Sequence, residues 1–405
     1  MALDLQRSLK SLLLPALLLL AVYLLQQPLS EQLLPLDKTL ARLPYALFIT
    51  GMAFALLFRH SREFFNLLIL LLTVLVLDIA VWSAAPNPQS ALIHALLCLL
   101  APVNLVVNDL WRERGILNRY GLQRTAVIAS QVLLAFWIVH NPPGELAESL
   151  AFTPLPIVVA SPVPALAQLA ILICSIVLLV YVFTHPTLLQ GTLFITFVAL
   201  VLALHQVEAP VMAQLYLLSG GLLILLALLF NIRQLAYYDE LTGLPSRRSL
   251  RQTLLSQGSR YSLAMVDVDH FKKLNDTYGH DVGDQVLKML ATHLRRIKGG
   301  KAFRYGGEEF TLVFPGKLAD EAQAPLEQLR ETIASTPFKV RHKSRPAKRP
   351  ENPQPKSDPP ELSISVSIGV ADTTLADDPQ SIMKRADQAL YQGKKKGRNR
   401  VVVAG

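Results

Sequence analysis

The stretch RYGGEEF, residues 304–310, joins two apolar runs: AFRY (302–305) leads in and FTLVF (310–314) leads out. Strand-forming runs on either side of a Gly-Gly pair predict a β-hairpin. Gly306 and Gly307 allow positive φ and let a bulky anion approach the backbone. Two adjacent glutamates, Glu308 and Glu309, follow. Like charges this close repel, so the pair suits a position where something positive is shared.

Strands and helices alternate around this hairpin. SLAMVDV (262–268) is an apolar, β-leaning run, and LSISVSIGV (362–370) is another. DVGDQVLKMLATHLRRI (281–297) spaces Val282, Val286, Leu290, Leu294 and Ile297 at helical intervals. SIMKRADQALYQGKKKG (381–397) begins as a helix and ends in a basic turn. The pattern predicts an α/β sandwich with a mostly antiparallel sheet and helices over it.

Several candidate functional residues lie at the element ends. MVDVDHF (265–271) puts Asp267 and Asp269 on one strand face. Hard carboxylate oxygens gathered with Glu308 and Glu309 suit Mg²⁺ or Mn²⁺; the alternative is an ordinary acidic hairpin turn. HFKKLNDTYGHDVGD (270–284) offers Lys272, Asn275, His280 and Asp284. An Asn and an Asp side chain together can pair with the N2, N1 and O6 edge of guanine. YQGKKKGRNR (391–400) supplies cations, Lys394 and Arg398 among them, where a triphosphate would need them. By itself that run reads rather as a solvated or membrane-facing basic tail.

The rest of the chain differs in kind. Its 405 residues are 52% hydrophobic, and the excess lies before about residue 230. Residues 1–230 carry ten Lys+Arg and ten Asp+Glu, so the whole net charge of +9 falls on the C-terminal part. Such a balance suits an anionic partner: nucleotide, nucleic acid or lipid. The two cysteines, Cys98 and Cys174, sit in apolar runs with neither zinc nor disulfide spacing. Apolar runs near 11–28, 43–58, 66–84, 91–107, 125–140, 165–183, 188–205 and 212–230 predict about eight transmembrane helices. The segments RHSRE (59–63) and WRERGILNRYGLQR (111–124) are basic, while 85–90, 141–164 and 206–210 hold no Lys or Arg. The positive-inside rule then puts both termini in the cytoplasm, with Lys38 and Arg42 as exceptions. No outer loop is long enough for a folded sensor, so any sensing site lies among the helices. Asp78, inside LLTVLVLDIAVW, is the polar exception; it marks a function or reaches a neighbouring helix.

The domains expected are an integral membrane domain over 1–230, a short helical linker over 231–240 and a catalytic domain over 241–405. Within the last, RHKSRPAKRPENPQPKSDPP (341–360) is too polar and proline-rich to fold, and predicts a disordered insertion.

Taken together, YDELTGLPSRR (238–248), VDVDHFKKLNDTYGHDVGD (266–284), RYGGEEF, SVSIGVA (365–371) and ADQALYQGKKKGRNRV (386–401) resemble the GGDEF family of diguanylate cyclases, over about residues 237–404 and in family order. Ser246 stands where the family usually has Asn, and Gly393 where Ala is common. The resemblance implies condensation of two GTP into cyclic di-GMP and two pyrophosphates. It implies a homodimer through this domain, two Mg²⁺ (or Mn²⁺) per active site, and no nucleic-acid partner. It makes Asp267, the Val268 carbonyl and Glu308 the metal ligands, Glu308 also the general base, and Glu309 a support of the metal site. Asn275 and Asp284 become the guanine readers, Lys272, Lys394 and Arg398 the phosphate contacts, and His280 part of the nucleotide pocket, beside Gly306 and Gly307. The family's RxxD inhibitory pair is replaced by Ile297 and Gly300, which implies no product inhibition there. The bacterial inner membrane, membrane lipid and an unknown small signal complete the expected setting.

Overall fold

A computed structural model describes residues 5–33, 42–82, 88–141, 161–340, 361–374 and 378–405. The expected insertion at 341–360 and most of the loop at 141–164 lie outside the described residues. Two compact units divide at Ile232 and Arg233.

The N-terminal unit is helical: α1 (Leu5–Leu33), α2 (Leu43–Leu57), α3 (Ser61–Val76), α4 (Pro88–Leu110), α5 (Arg119–His140), α6 (Ala165–Thr184), α7 (Leu188–His205) and α8 (Pro210–Tyr237). Among the described residues, seven helices are long and apolar enough to cross a membrane. The eighth expected span is α2, with only 15 residues. Its rise of about 22 Å falls short of a hydrocarbon core of about 30 Å. Helices α1 and α7 approach closely, since a Cβ on Gly191 would lie 2.2 Å from the Ser11 carbonyl oxygen. Cys98 and Cys174 are buried free thiols in the bundle core. Asp78 lies in a π-helical turn that extends α3 over Leu77–Trp82, and it accepts a hydrogen bond from the Tyr45 hydroxyl at 3.1 Å. The carboxylate thus has a partner on a neighbouring helix.

The C-terminal unit is built on a five-stranded sheet of β1 (Tyr261–Val268), β2 (Lys301–Gly306), β3 (Glu309–Pro315), β6 (Val366–Asp372) and β7 (Val401–Val403), in the order β2-β3-β1-β6-β7. Only the β6–β7 pair is parallel. A separate small ladder pairs β4 (Phe338–Lys339) with β5 (Glu361–Leu362). Every residue of β1 is buried, as expected of a central strand covered on both faces. Its side chains alternate. Ala264, Val266 and Val268 pack with Val282, Val286, Leu290 and Leu294 of α11 (His280–Arg295) and with α12 (Ala319–Ser335). Leu263 and Met265 pack with Leu250 and Leu254 of α9 (Arg247–Leu255) and with Ile382, Ala386 and Leu390 of α13 (Pro379–Lys395). Each of the larger side chains, Val, Leu, Ile or Met, stabilises the unit by about 1.5–3 kcal/mol when fully buried.

Local signals set the helix ends. Asp378 caps α13 by accepting from the backbone N–H groups of Gln380 and Ser381, with Pro379 in the first turn. Gly279 at φ 86° separates α10 (Phe271–Tyr278) from α11. The expected strand 362–370 is broken: residues 363–365 lie between β5 and β6, although the Ser365 carbonyl still accepts from the Asp269 N–H at 3.0 Å in the β1–β6 register.

A Cβ on Gly369 of β6 would meet the Ala386 carbonyl oxygen at 2.2 Å and the Leu390 nitrogen at 2.1 Å. These are α13 backbone atoms, which cannot rotate away. Gly369→Ala is expected to destabilise residues 233–405 by roughly 1–3 kcal/mol or more in urea unfolding. An unchanged midpoint would show that α13 does not seat on β6 this closely.

Candidate active site

The site grows from the register of the sheet. Asp267 of β1 lies opposite Glu309 of β3 on one side and Ser367 of β6 on the other. Val268, the next residue, ends the strand opposite Val366. The hairpin β2–β3 closes through Gly307 and Glu308, with Gly306 opposite Glu309 and a register shift between Arg304 and Gly306. Gly307 takes φ 49°, whereas Gly306 stays out of the left-handed region. A Cβ at either position would meet nothing within 4 Å, so the backbone there is open to an incoming ligand.

Three carboxylates crowd this edge. Burial pushes Glu308 up from the usual range, and the charge of Asp267 adds to it while Lys394 opposes. Glu309 is raised by burial, then by Asp267 and Asp387. Asp267, buried at 5% exposure, is itself raised by burial against the pull of Lys394. The Lys394 ammonium sits 2.8 Å from Asp267 Oδ1. One ammonium faces three carboxylates, and the set is short of positive charge. Hard oxygen donors in this excess fit Mg²⁺ or Mn²⁺. Among the described residues no three His, Cys, Asp or Glu converge as a ready-made metal cage. An open set of one or two carboxylates, completed by substrate phosphates, is the usual manner of holding Mg²⁺.

Asp269 does not join this edge. Its Oδ1 accepts from the Ser367 hydroxyl at 2.6 Å, and its Oδ2 accepts from the Ser365 hydroxyl at 2.7 Å and the Asn399 N–H at 3.0 Å. It lies one residue past β1, where its N–H bond to the Ser365 carbonyl continues the β1–β6 register, and its carboxylate is taken up by the serines of β6 and the residues before it. Its work is to hold the turn where Arg398 and Asn399 take φ 64° and 46°.

Helices α10 and α11 bring Asn275 and Asp284 together. Asn275 Oδ1 is buried without a hydrogen-bond partner. It occupies space that a Cβ on Gly283 would fill, at 2.0 Å. Asp284 is the next residue and is exposed, as are Lys272 and His280. An orphaned carboxamide oxygen beside a free carboxylate is a hydrogen-bond acceptor pair awaiting donors.

Sequence reasoning gave Arg304 no role. Its guanidinium donates to Asp239 Oδ1 at 2.8 Å and, from two nitrogens, to the Gly307 carbonyl at 2.8 and 3.2 Å. Asp239 Oδ1 also accepts from the Thr242 N–H at 2.8 Å and hydroxyl at 2.6 Å. Arg295 donates to the carbonyls of Thr242 and Gly243, each at 3.1 Å. The 239–243 turn is therefore clamped to the glycine turn that carries Glu308. An arginine two residues before paired glycines, with an aspartate in a preceding turn, was the available signal. Ile297 is half-buried against the core, and Gly300 lies against Phe314.

Residues 236–400 match the family model described as "Diguanylate cyclase, GGDEF domain". The response regulator PleD of Caulobacter vibrioides is 37% identical over 181 residues, which cover 42% of this chain and 36% of PleD. The diguanylate cyclase VdcA of Vibrio cholerae is 37% identical over 179 residues, covering 43% of this chain and 49% of VdcA. The chain thus spans between about a third and a half of the length of these relatives. Among solved structures, the coiled coil and GGDEF domain of DgcB from Caulobacter crescentus, in complex with c-di-GMP, aligns at 34% identity with TM-score 0.38, over 44% of this chain and 90% of that one.

The clamp predicts a pH dependence. Burial raises Asp239, but the hydrogen bonds from Thr242 and Arg304 outweigh it, so its carboxyl is held below the usual range. A depressed carboxylate contributes stability in full above the ordinary value of about 3.9 and loses it as pH falls through the folded value. Asp239→Asn is expected to cost about 1–3 kcal/mol at neutral pH in urea unfolding of residues 233–405. That difference closes below about pH 4. A gap that stays constant down to about pH 3 would contradict the pairing.

Proposed function

We propose, from the premise that residues 236–400 are a GGDEF domain of the diguanylate cyclase family, that this chain condenses two GTP into cyclic di-GMP with release of two pyrophosphates. The observation that carries the reading is the crowded edge of Asp267, Glu308 and Glu309 beside an open glycine turn. Guanine offers N1–H and N2–H donors, and Asn275 Oδ1 and the Asp284 carboxylate are acceptors set to receive them. Lys272, Lys394 and Arg398 would supply the cations that contact the phosphates. His280, at the head of α11, lines the nucleotide pocket. Gly306 and Gly307 admit the triphosphate where a side chain would stand in its way.

Asp267, the Val268 carbonyl and Glu308 would hold two Mg²⁺, or Mn²⁺, with Glu309 in support. When bound, these ions lower the cost of charge on the attacking and departing oxygens. Glu308 takes the proton from the ribose 3′-hydroxyl. The freed 3′-oxygen bonds to the α-phosphorus of the facing GTP as the bond to pyrophosphate breaks. Two such transfers close the ring, so two domains must face each other in a homodimer.

The N-terminal helices are read as a multi-pass domain in the inner membrane of a bacterium, in contact with lipid, with both termini in the cytoplasm. That domain sets the geometry of the cyclase dimer in response to a small signal. Ile297 and Gly300 in place of the RxxD pair leave synthesis free of product inhibition at that position.

The full-length chain in detergent with GTP and Mg²⁺ is expected to form cyclic di-GMP and pyrophosphate, and added product should not slow it. Glu308→Ala is expected to lower the rate by about 10²–10⁴-fold while the fold persists. Asn275→Ala should raise KM for GTP more than it lowers kcat. A folded Glu308→Ala chain that makes product at the original rate would end this assignment. A folded wild type that binds GTP and makes none would favour a silent nucleotide-binding regulator.

A further inference from the structure

Helices α3, α4, α7 and α8 close around a cavity of about 10 Å³ lined by Arg62, Glu63, Asn66, Asp109, Thr192 and Ile224. That is close to the space needed by one water-sized particle, about 10–15 Å³. Glu63 and Asp109 are each 2% exposed. Glu63 Oε2 and Asp109 Oδ2 are both buried without a hydrogen-bond partner. A buried carboxylate oxygen with neither donor nor cation is costly. The two oxygens are not hydrogen-bonded to each other, so a proton shared directly between them does not answer the need. Both residues line a space of about one atom.

Most of the neighbouring polar groups have other partners. Glu113 accepts from the Ser61 N–H and hydroxyl and from the Arg62 N–H. Arg62 Nε donates to the Trp111 carbonyl at 3.2 Å and lies 3.9 Å from Glu113 Oε2. Arg124, buried at 4% exposure, donates to Asn108 Oδ1 at 3.0 Å and to the Arg112 carbonyl at 2.9 Å. Asn108 in turn donates to Asn66 Oδ1 at 2.6 Å. Three carboxylates, Glu63, Asp109 and Glu113, thus face two guanidiniums, Arg62 and Arg124. The cluster lacks one positive charge. His60 Nδ1, 3.6 Å from Glu63 Oε2, supplies it only when protonated. The cavity-lining residues of α7 and α8 carry no charge.

We propose that Glu63 and Asp109 bind one dehydrated alkali-metal cation in this cavity. The missing charge is a single one, the donors are hard oxygens, and the space admits one ion without its water. Hydrated Mg²⁺, which keeps several waters, does not fit. The site owes nothing to the nucleotide chemistry of the C-terminal unit.

The test uses the full-length chain in detergent at constant ionic strength. Its thermal unfolding midpoint is followed as NaCl or KCl replaces choline chloride at about pH 8.5, well above the ordinary range of histidine. At least one alkali cation is expected to raise the midpoint saturably, as a ligand of the folded state must. Asp109→Asn and Glu63→Gln should each abolish the rise. At about pH 6 the rise should shrink, because protons taken up by His60 and by the carboxylates themselves compete with the cation. Should either variant fail to fold, equilibrium dialysis of the wild type with ²²Na⁺ and ⁸⁶Rb⁺ should still retain one ion per chain. No rise with either salt, a rise that survives both substitutions, or no retained ion would overturn the site and leave a buried water in its place.

Discussion

The C-terminal unit depends on one electrostatic constraint: three carboxylates share a sheet edge with one ammonium. Asp267, Glu308 and Glu309 are each pushed toward the neutral form by burial, and Asp267 acts on both glutamates. A fold would not keep such crowding for its own stability, since buried like charges cost more than they return. Lys394 offsets part of it at 2.8 Å. The remainder is a standing attraction for a divalent cation and for the phosphates that accompany one.

The scaffold holds that repulsion in place. β1 is central and fully buried, so Asp267 cannot move without loosening both cores. Glu309 is tied to it by register, and Glu308 by a two-residue loop. Arg304 fastens the loop through the Gly307 carbonyl to the 239–243 turn. Asp269, bonded by Ser365, Ser367 and Asn399, secures the turn of Arg398 on the other side. The acids that carry the chemistry are few, and most of the polar contacts around them serve to position them.

Much of this edge could be read from the chain, because its signals are local. Strand alternation, a Gly-Gly turn and helical spacing in 281–297 depend on neighbours in sequence, and the sheet is mostly antiparallel as those signals implied. What could not be read depends on distant partners. Asp269 follows Asp267 by alternation, but the sequence does not show that its oxygens are taken up by Ser365, Ser367 and Asn399. Lys394 resembled one cation of a basic run until the fold set it against Asp267. Asn275 needs the missing side chain of Gly283, a relation between two helices. In the N-terminal unit, hydropathy counted eight runs, but the length of Leu43–Leu57 depends on where a helix stops. Glu63 and Asp109 sit at helix ends next to basic loops, where composition suggests solvated charge, and only packing reveals them as buried.

The central claim is that the crowding of Asp267, Glu308 and Glu309 is relieved by a divalent cation that arrives with the nucleotide. The most direct measurement is the binding of Mn²⁺ to the purified chain by electron paramagnetic resonance, with and without a non-hydrolysable GTP analogue, in the wild type and in Asp267→Asn. The account predicts strong Mn²⁺ binding that requires the analogue and is lost in the variant. Equal binding by both proteins, or none in the presence of bound analogue, would contradict it.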